Sequence, residues 1–231
     1  MAEGAVHSEL REAVAVAHLD DGKANAISHE SLAALNEALD RADKEADAAV
    51  LLGRPGRFSA GFDLSVMTEG PEAARQLVAG GAQLALRMAE APIPIVAACS
   101  GHALAMGALL LLSADLRIGA RGPFKLGLNE VAIKMTLPDF AIELARERLS
   151  RRHLGPATVL AEIVDPDGAT DVGWLDRVVE PEALEATALE EAARLGELPR
   201  RAFSETKRAL RADMLARIRA SLEGLATWGA S

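Results

Sequence analysis

The chain has 231 residues, enough for one sizeable domain, and half of it is apolar, which excludes a disordered tail. Aromatic residues make up only 3% and there is no Tyr, so Leu, Ala, Val and Ile must fill the core. A net charge of −9, from 34 acids against 25 bases, excludes broad nucleic-acid or anionic-membrane binding; a few local cations could still hold a phosphorylated ligand.

In chain order, Ala13 to Leu19 (AVAVAHL) reads as a strand, followed by a turn at Asp20-Asp21-Gly22-Lys23. Ser28 is a plausible N-cap for a helix running to Ala46, with Leu32, Leu35, Leu39 and Ala42 on one face. Ala48 to Gly53 is a buried strand that leads into a Gly/Pro-broken loop, Arg54 to Asp63. A helix from Pro71 to Ala89 follows, then an apolar strand from Ile93 to Cys99. Ser100 to Gly107 reads as a turn of small residues opening a short helix to Ser113, and Asp115 to Ala120 as a further strand. Apolar strands alternating with helices indicate an α/β fold with crossover connections. After Pro138 the chain reads as helical, with Pro138, Pro156, Pro181 and Pro199 near segment starts. The last segment, Arg200 to Trp228, is amphipathic, which suits covering the domain or a neighbouring subunit. This pattern divides the chain into a core over residues 1–185 and a helical C-terminal region over residues 186–231.

The single Cys99 permits no internal disulfide and no Cys-based zinc site. His7, His18, His29, His102 and His153 show no metal-ligand spacing, so no metal is expected. The N-terminus lacks the basic and apolar regions of a secretion signal, and Ala103 to Ala114 is too short to span a bilayer. A cytoplasmic protein is the expectation.

Three places depart from what packing alone requires. Gly56-Arg57-Phe58-Ser59-Ala60-Gly61-Phe62-Asp63-Leu64 follows a buried strand and can turn its backbone N–H groups outward. Ser100-Gly101-His102-Ala103-Leu104-Ala105-Met106-Gly107-Ala108 also follows a strand and opens a helix, whose first N–H groups lack partners. Two such loops could aim two donors at one point, as an oxyanion hole demands. The third place is Gly127-Leu128-Asn129-Glu130-Val131, a carboxylate in an apolar stretch. Taken singly, each is as readily an ordinary loop or a surface glutamate.

Together with Asn25-Ala26-Ile27-Ser28 and Asp115-Leu116-Arg117-Ile118, these segments resemble the crotonase (enoyl-CoA hydratase/isomerase) superfamily in order and spacing. The resemblance implies a spiral of β-β-α units with a helical C-terminal region that assembles homotrimers or homohexamers. It further implies an acyl-CoA thioester whose carbonyl is held by the backbone N–H groups of Phe62 and Met106. Ala60, Gly61 and Gly107 shape that binding loop, and Lys23, Arg57 or Lys207 would meet the CoA phosphates. No cofactor beyond the CoA moiety of the substrate is implied. Met106 stands where many relatives have Gly and is expected to narrow the pocket.

Hydratases of the superfamily carry two catalytic glutamates, and counting two residues on from Gly107 reaches Leu109 instead of the first. The later one matches Glu130. This pattern resembles the mitochondrial-type Δ3,Δ2-enoyl-CoA isomerases, in which one glutamate moves a proton from C2 to C4. A lone carboxylate in an apolar pocket suits that shuttle, because desolvation raises its pKa and lets it act as base and then acid. Hydration remains the alternative. Lys134 stands where the family usually has Gly; it could depress Glu130, bind a substrate carboxylate or point to solvent. His102, Cys99, Asp63 and Asp115 read as structural. Further alternatives are a crotonase-fold hydrolase using Ser100 and His102, and a non-catalytic acyl-CoA binder, which would have no reason to keep Glu130.

Overall fold

The computed structural model describes residues 5–225. A hairpin of β1 (Val6–Arg11) and β2 (Val14–Leu19) opens the chain, followed by the short β3 (Ala26–Ile27). Helix α1 (His29–Glu45) starts where Ser28 accepts the Ser31 N–H and Ser31 accepts the Ser28 N–H in return. Next come β4 (Ala48–Gly53), β5 (Gly56–Ser59), β6 (Gly61–Phe62), α2 (Leu64–Glu69) and α3 (Pro71–Glu90). A third passage runs β7 (Ile95–Cys99), β8 (Gly101–Leu104) and α4 (Met106–Ser113). A fourth runs β9 (Leu116–Ala120), β10 (Leu126–Gly127), a 3-10 turn (Val131–Ile133) and α5 (Asp139–Arg148). The chain continues through α6 (Leu154–Thr158), α7 (Pro166–Val172), β11 (Arg177–Val179), α8 (Leu184–Gly196), α9 (Arg200–Leu210) and α10 (Ala212–Gly224).

Each passage visits a large sheet, then a small one, then a helix. The large sheet has six strands in the order β1-β2-β4-β7-β9-β11, all parallel except the β1–β2 hairpin. The small sheets are β10-β8-β5 and β3-β6. This repetition is the β-β-α spiral of the crotonase fold, and it explains the uniformly apolar strands. Every residue of β4 is buried because both faces of the large sheet are covered. Ala49 and Leu51 face the core under α1 and α3, while Ala48, Val50 and Leu52 face Ala188 and Ala192 of α8.

Of the segment after residue 185, α8 covers the second face of the large sheet. Helix α10 docks on α3 and α5 through Met214, Leu215 and Ile218. Asp115 anchors this region: it accepts from Lys207 Nζ at 2.7 Å, lies 3.0 Å from Arg211 Nη2, and receives the Ile95 N–H at 2.9 Å. The end of the expected Arg200 to Trp228 segment, residues 226–228, lies outside the described residues.

The structure departs from the sequence reading in five places. Strand β1 was not anticipated; VHSELR sits at the sheet edge, half-buried and mixed in polarity. The loop over Arg54 to Asp63 holds β5 and β6, and the turn after Cys99 holds β8, whose short segments carry too few residues to show a period. The strand at Ile93 begins only at Ile95. Finally, the helical region after Pro138 contains β11, which extends the large sheet beside β9. Among the described residues no helix is long and apolar enough to cross a membrane.

Candidate active site

The first binding loop is strapped to the segment before α1. Asn25 is buried in a left-handed conformation (φ 53°), and its side-chain amide donates to Leu19 O at 2.6 Å and Phe58 O at 3.2 Å. Ser59 Oγ donates to Asn25 O at 2.7 Å and accepts the Gly61 N–H at 3.2 Å. The Ala60 N–H bonds Ala24 O, and the Asp63 N–H bonds Ile27 O, both at 3.0 Å. Successive N–H groups of an extended strand point to opposite sides. With that of Asp63 committed to β3, that of Phe62 faces away from it.

The second loop begins where β8 ends. Ala105 sits at φ 50°, ψ −124°, donates its N–H to Gly127 O at 3.1 Å, and accepts the first helical bond of α4 from Leu109. Met106 is therefore the first residue of α4, and its N–H belongs to the set with no partner inside the helix. A Cβ on Gly61 would lie 2.7 Å from Ala105 Cβ and 3.3 Å from Met106 N, and one on Gly107 would lie 2.4 Å from Ser59 O. Only glycine permits this approach, which sets Met106 N beside the residue preceding Phe62. Two fixed amides so close together are the raw material of an oxyanion hole. The Met106 side chain is wholly buried, so it packs in the core and does not narrow an open pocket as expected from sequence.

Glu130 is brought in by the third loop. Leu126 and Gly127 pair with Ala103 and Leu104, so the chain leaves the sheet beside the Ala105 turn, three residues before Glu130. The carboxyl is buried, and its Oε2 has no hydrogen-bond partner. Burial lifts its pKa from 4.5 to about 7, against the backbone N–H groups of Glu130 and Asn129, which hold it down. Leu109, where a second carboxylate would stand, is buried in α4. Lys134 resolves towards solvent: its side chain is exposed, and the residue takes a left-handed conformation (φ 66°) in which glycine is at ease.

The remaining candidates separate. Lys23 and Arg57 are exposed, Ala60 is exposed, and Gly61 and Gly107 are buried at the loop contact. Arg54, which the sequence did not single out, reaches Lys23 O through its Nε at 3.0 Å and so sets a second cation beside Lys23. Lys207 is buried on Asp115, so it holds α9 in place rather than facing a ligand. His102 Nδ1 accepts the Lys125 N–H at 3.0 Å and its ring meets Phe124 edge-on, a packing arrangement. Burial raises the Cys99 thiol to about 12, far from a thiolate. Ser100 donates to Arg54 O at 2.8 Å. The structural work of Asn25 and Ser59 was missed, because the bonds that strap the two segments together, Asn25 to Phe58 O and Ser59 to Asn25 O, span over thirty residues.

The family profile described as enoyl-CoA hydratase/isomerase matches residues 9–226. The chain belongs to the enoyl-CoA hydratase/isomerase family. A solved Pseudomonas syringae protein of this family is 47% identical, covering 95% of this chain and 96% of that one with a TM-score of 0.93. The human mitochondrial enoyl-CoA delta isomerase 1 is 30% identical over 92% of this chain and 72% of its own length. A probable enoyl-CoA hydratase of Bacillus subtilis is 32% identical over 78% of this chain and 70% of its own. Members of the family are enzymes acting on acyl-CoA substrates, and this chain is one of them.

Proposed function

We propose that this enoyl-CoA hydratase/isomerase family enzyme shifts the double bond of an enoyl-CoA from C3 to C2 through a thioester enolate. The observation that carries this reading is one buried carboxylate, Glu130, with a pKa near 7 and no second carboxylate at Leu109. As carboxylate, Glu130 takes the C2 proton of a 3-enoyl-CoA. The C–H electron pair forms a double bond between C2 and the thioester carbon as the carbonyl pair moves onto the oxygen, where the Phe62 and Met106 N–H groups hold the charge. Such donors stabilise an enolate by several kcal/mol in a dry site. The neutral Glu130 then returns its proton to C4, leaving the 2-enoyl-CoA and the starting carboxylate. Net hydration would need a positioned water, and Leu109 cannot accept a hydrogen bond from one.

Lys23, Arg54 and Arg57 form the rim assigned to the CoA phosphates. Assembly as a homotrimer or a dimer of trimers, and residence in the cytoplasm, belong to the same reading. Product analysis with 3-enoyl-CoA and 2-enoyl-CoA side by side tests it: double-bond migration is expected to outrun net water addition. Efficient hydration of 2-enoyl-CoA, with 3-enoyl-CoA left untouched, would replace the isomerase with a hydratase.

A further inference from the structure

Helix α3 carries two adjacent glycines, Gly80 and Gly81, in its middle. Glycine is the poorest helix former after proline, so an interior pair needs a tertiary reason. The two positions differ in what a side chain would meet. A Cβ on Gly80 would lie 2.9 Å from Leu32 Cδ1, a methyl at the end of a flexible side chain, and would meet nothing else within 4 Å. A Cβ on Gly81 would lie 2.5 Å from Phe62 Cζ, 2.7 Å from Phe62 Cε1 and 3.2 Å from Met106 Sδ. One bare helix turn thus receives the side chains of both residues whose amides are assigned to the thioester oxygen.

We infer that Gly81 is a positioning residue for the oxyanion hole, seating Phe62 and Met106 against one rigid backbone so that their N–H groups converge. This rests on the enolate reading above. Met106 is wholly buried and its backbone opens α4, so its sulfur has little room to retreat from a new methyl. The backbone of Phe62 is held to β3 on one side by the Asp63–Ile27 bond, and its ring rests on Gly81. A methyl at 81 pushes ring and thioether apart and turns the two donors away from a common point. Gly81 lies on the buried face of α3 with Leu77, Val78, Leu84 and Ala85, so the helix cannot simply shift outward.

The test uses butyryl-CoA, isotopically labelled at its thioester carbonyl, bound to wild type, Gly81→Ala, Gly80→Ala, and Gly81→Ala combined with Phe62→Leu. The infrared carbonyl stretch reads the two donors without depending on turnover. Wild type and Gly80→Ala are expected to show the same shift to lower frequency. Gly81→Ala is expected to lose much of it, with kcat down ~10-fold and KM changed less than ~3-fold, a partial loss of what a full donor supplies. Shrinking the ring in the double variant makes room for the methyl and is expected to recover part of both readouts. Should Gly81→Ala fail to fold, the double variant decides alone, because its overcrowding is relieved. An unchanged carbonyl shift in folded Gly81→Ala, or no recovery in a folded double variant, overturns the inference. No shift in wild type would instead remove the oxyanion hole itself, and Gly81 with it.

Discussion

Glu130 has the two properties a proton shuttle needs, a buried carboxyl and a pKa brought to about 7 by that burial. Its unfolded value is near 4.5, so the folded chain binds the extra proton between those limits. The favourable contribution is complete below pH 4.5 and is lost as pH rises to about 7, on the order of 3 kcal/mol in all. Unfolding curves of Glu130→Gln are expected to lack this pH dependence, and the variant to be the more stable above pH 7. In wild type, kcat/KM is expected to rise with pH through about 7 as the base form appears. Glu130→Gln should lose at least ~100-fold in turnover while acyl-CoA affinity changes little; near-normal turnover would remove Glu130 from the chemistry. Ala105 offers a second test. Its φ of 50° with ψ of −124° is a conformation that costs an L-residue about 1–3 kcal/mol, against about 0.4–1 kcal/mol of extra chain entropy for glycine. Ala105→Gly is therefore expected to raise the melting temperature, and a lowered one would mean the turn is not strained.

Among the elements, α9 is tied to the sheet by charges taken out of water. Lys207, Arg211 and Asp115 have side chains exposed by only 4%, 6% and 12%. Burial drags Lys207 down to about 8, and the attraction of Asp115 only partly opposes that. The cation is thus held at a cost, and its removal is the milder injury. Lys207→Met should destabilise by less than ~1.5 kcal/mol, since Asp115 keeps Arg211 and the Ile95 N–H. Asp115→Asn strands two buried cations and should cost about 3–5 kcal/mol. Chemical denaturation of the two variants checks the order, and the reverse order would mean that the lysine is the anchor. In α4, Leu109→Glu places a carboxylate at a buried position and should lower stability by ~1–3 kcal/mol. Under the isomerase reading, it should also raise hydration of 2-enoyl-CoA from a low baseline.

At the scale of the whole molecule, large apolar side chains remain uncovered after both faces of the main sheet are closed. Val159 and Leu160 are exposed at 67% and 73%, and Leu198 and Leu210 at 44% and 76%. Leu198 lies just before α9 and Leu210 is its last residue, in the C-terminal region proposed to join subunits. Leu198 and Leu210 line one shallow depression with Ala202 and Phe203, and an apolar patch of this kind marks an interface more often than it is left wet. Light scattering at micromolar concentration is expected to return the mass of three or six chains, and Leu210→Glu to shift it downward. A monomeric wild type would remove the assembly from the proposal.

The sequence by itself determined what local rules control. The Ser28 cap, the apolar run of β4 and the four-residue stripe of α1 are each written within one helix or one strand, so periodicity and capping chemistry expose them. The order of the glycine-containing loops carried the family, because each motif keeps its own spacing. Short strands such as β3, β6 and β10 were hidden, since two residues have no period. The site depended on the tertiary structure more deeply. Whether Glu130 is an exposed glutamate or a base near neutrality is a matter of how much chain folds over it. Nothing in the residues beside it decides that. Asn25 meets Phe58, and Gly81 meets Phe62 and Met106, only because the spiral returns to the same place on successive passages. Burial and close approach are properties of segments distant in the chain, so they came into being only when the strands had found their neighbours.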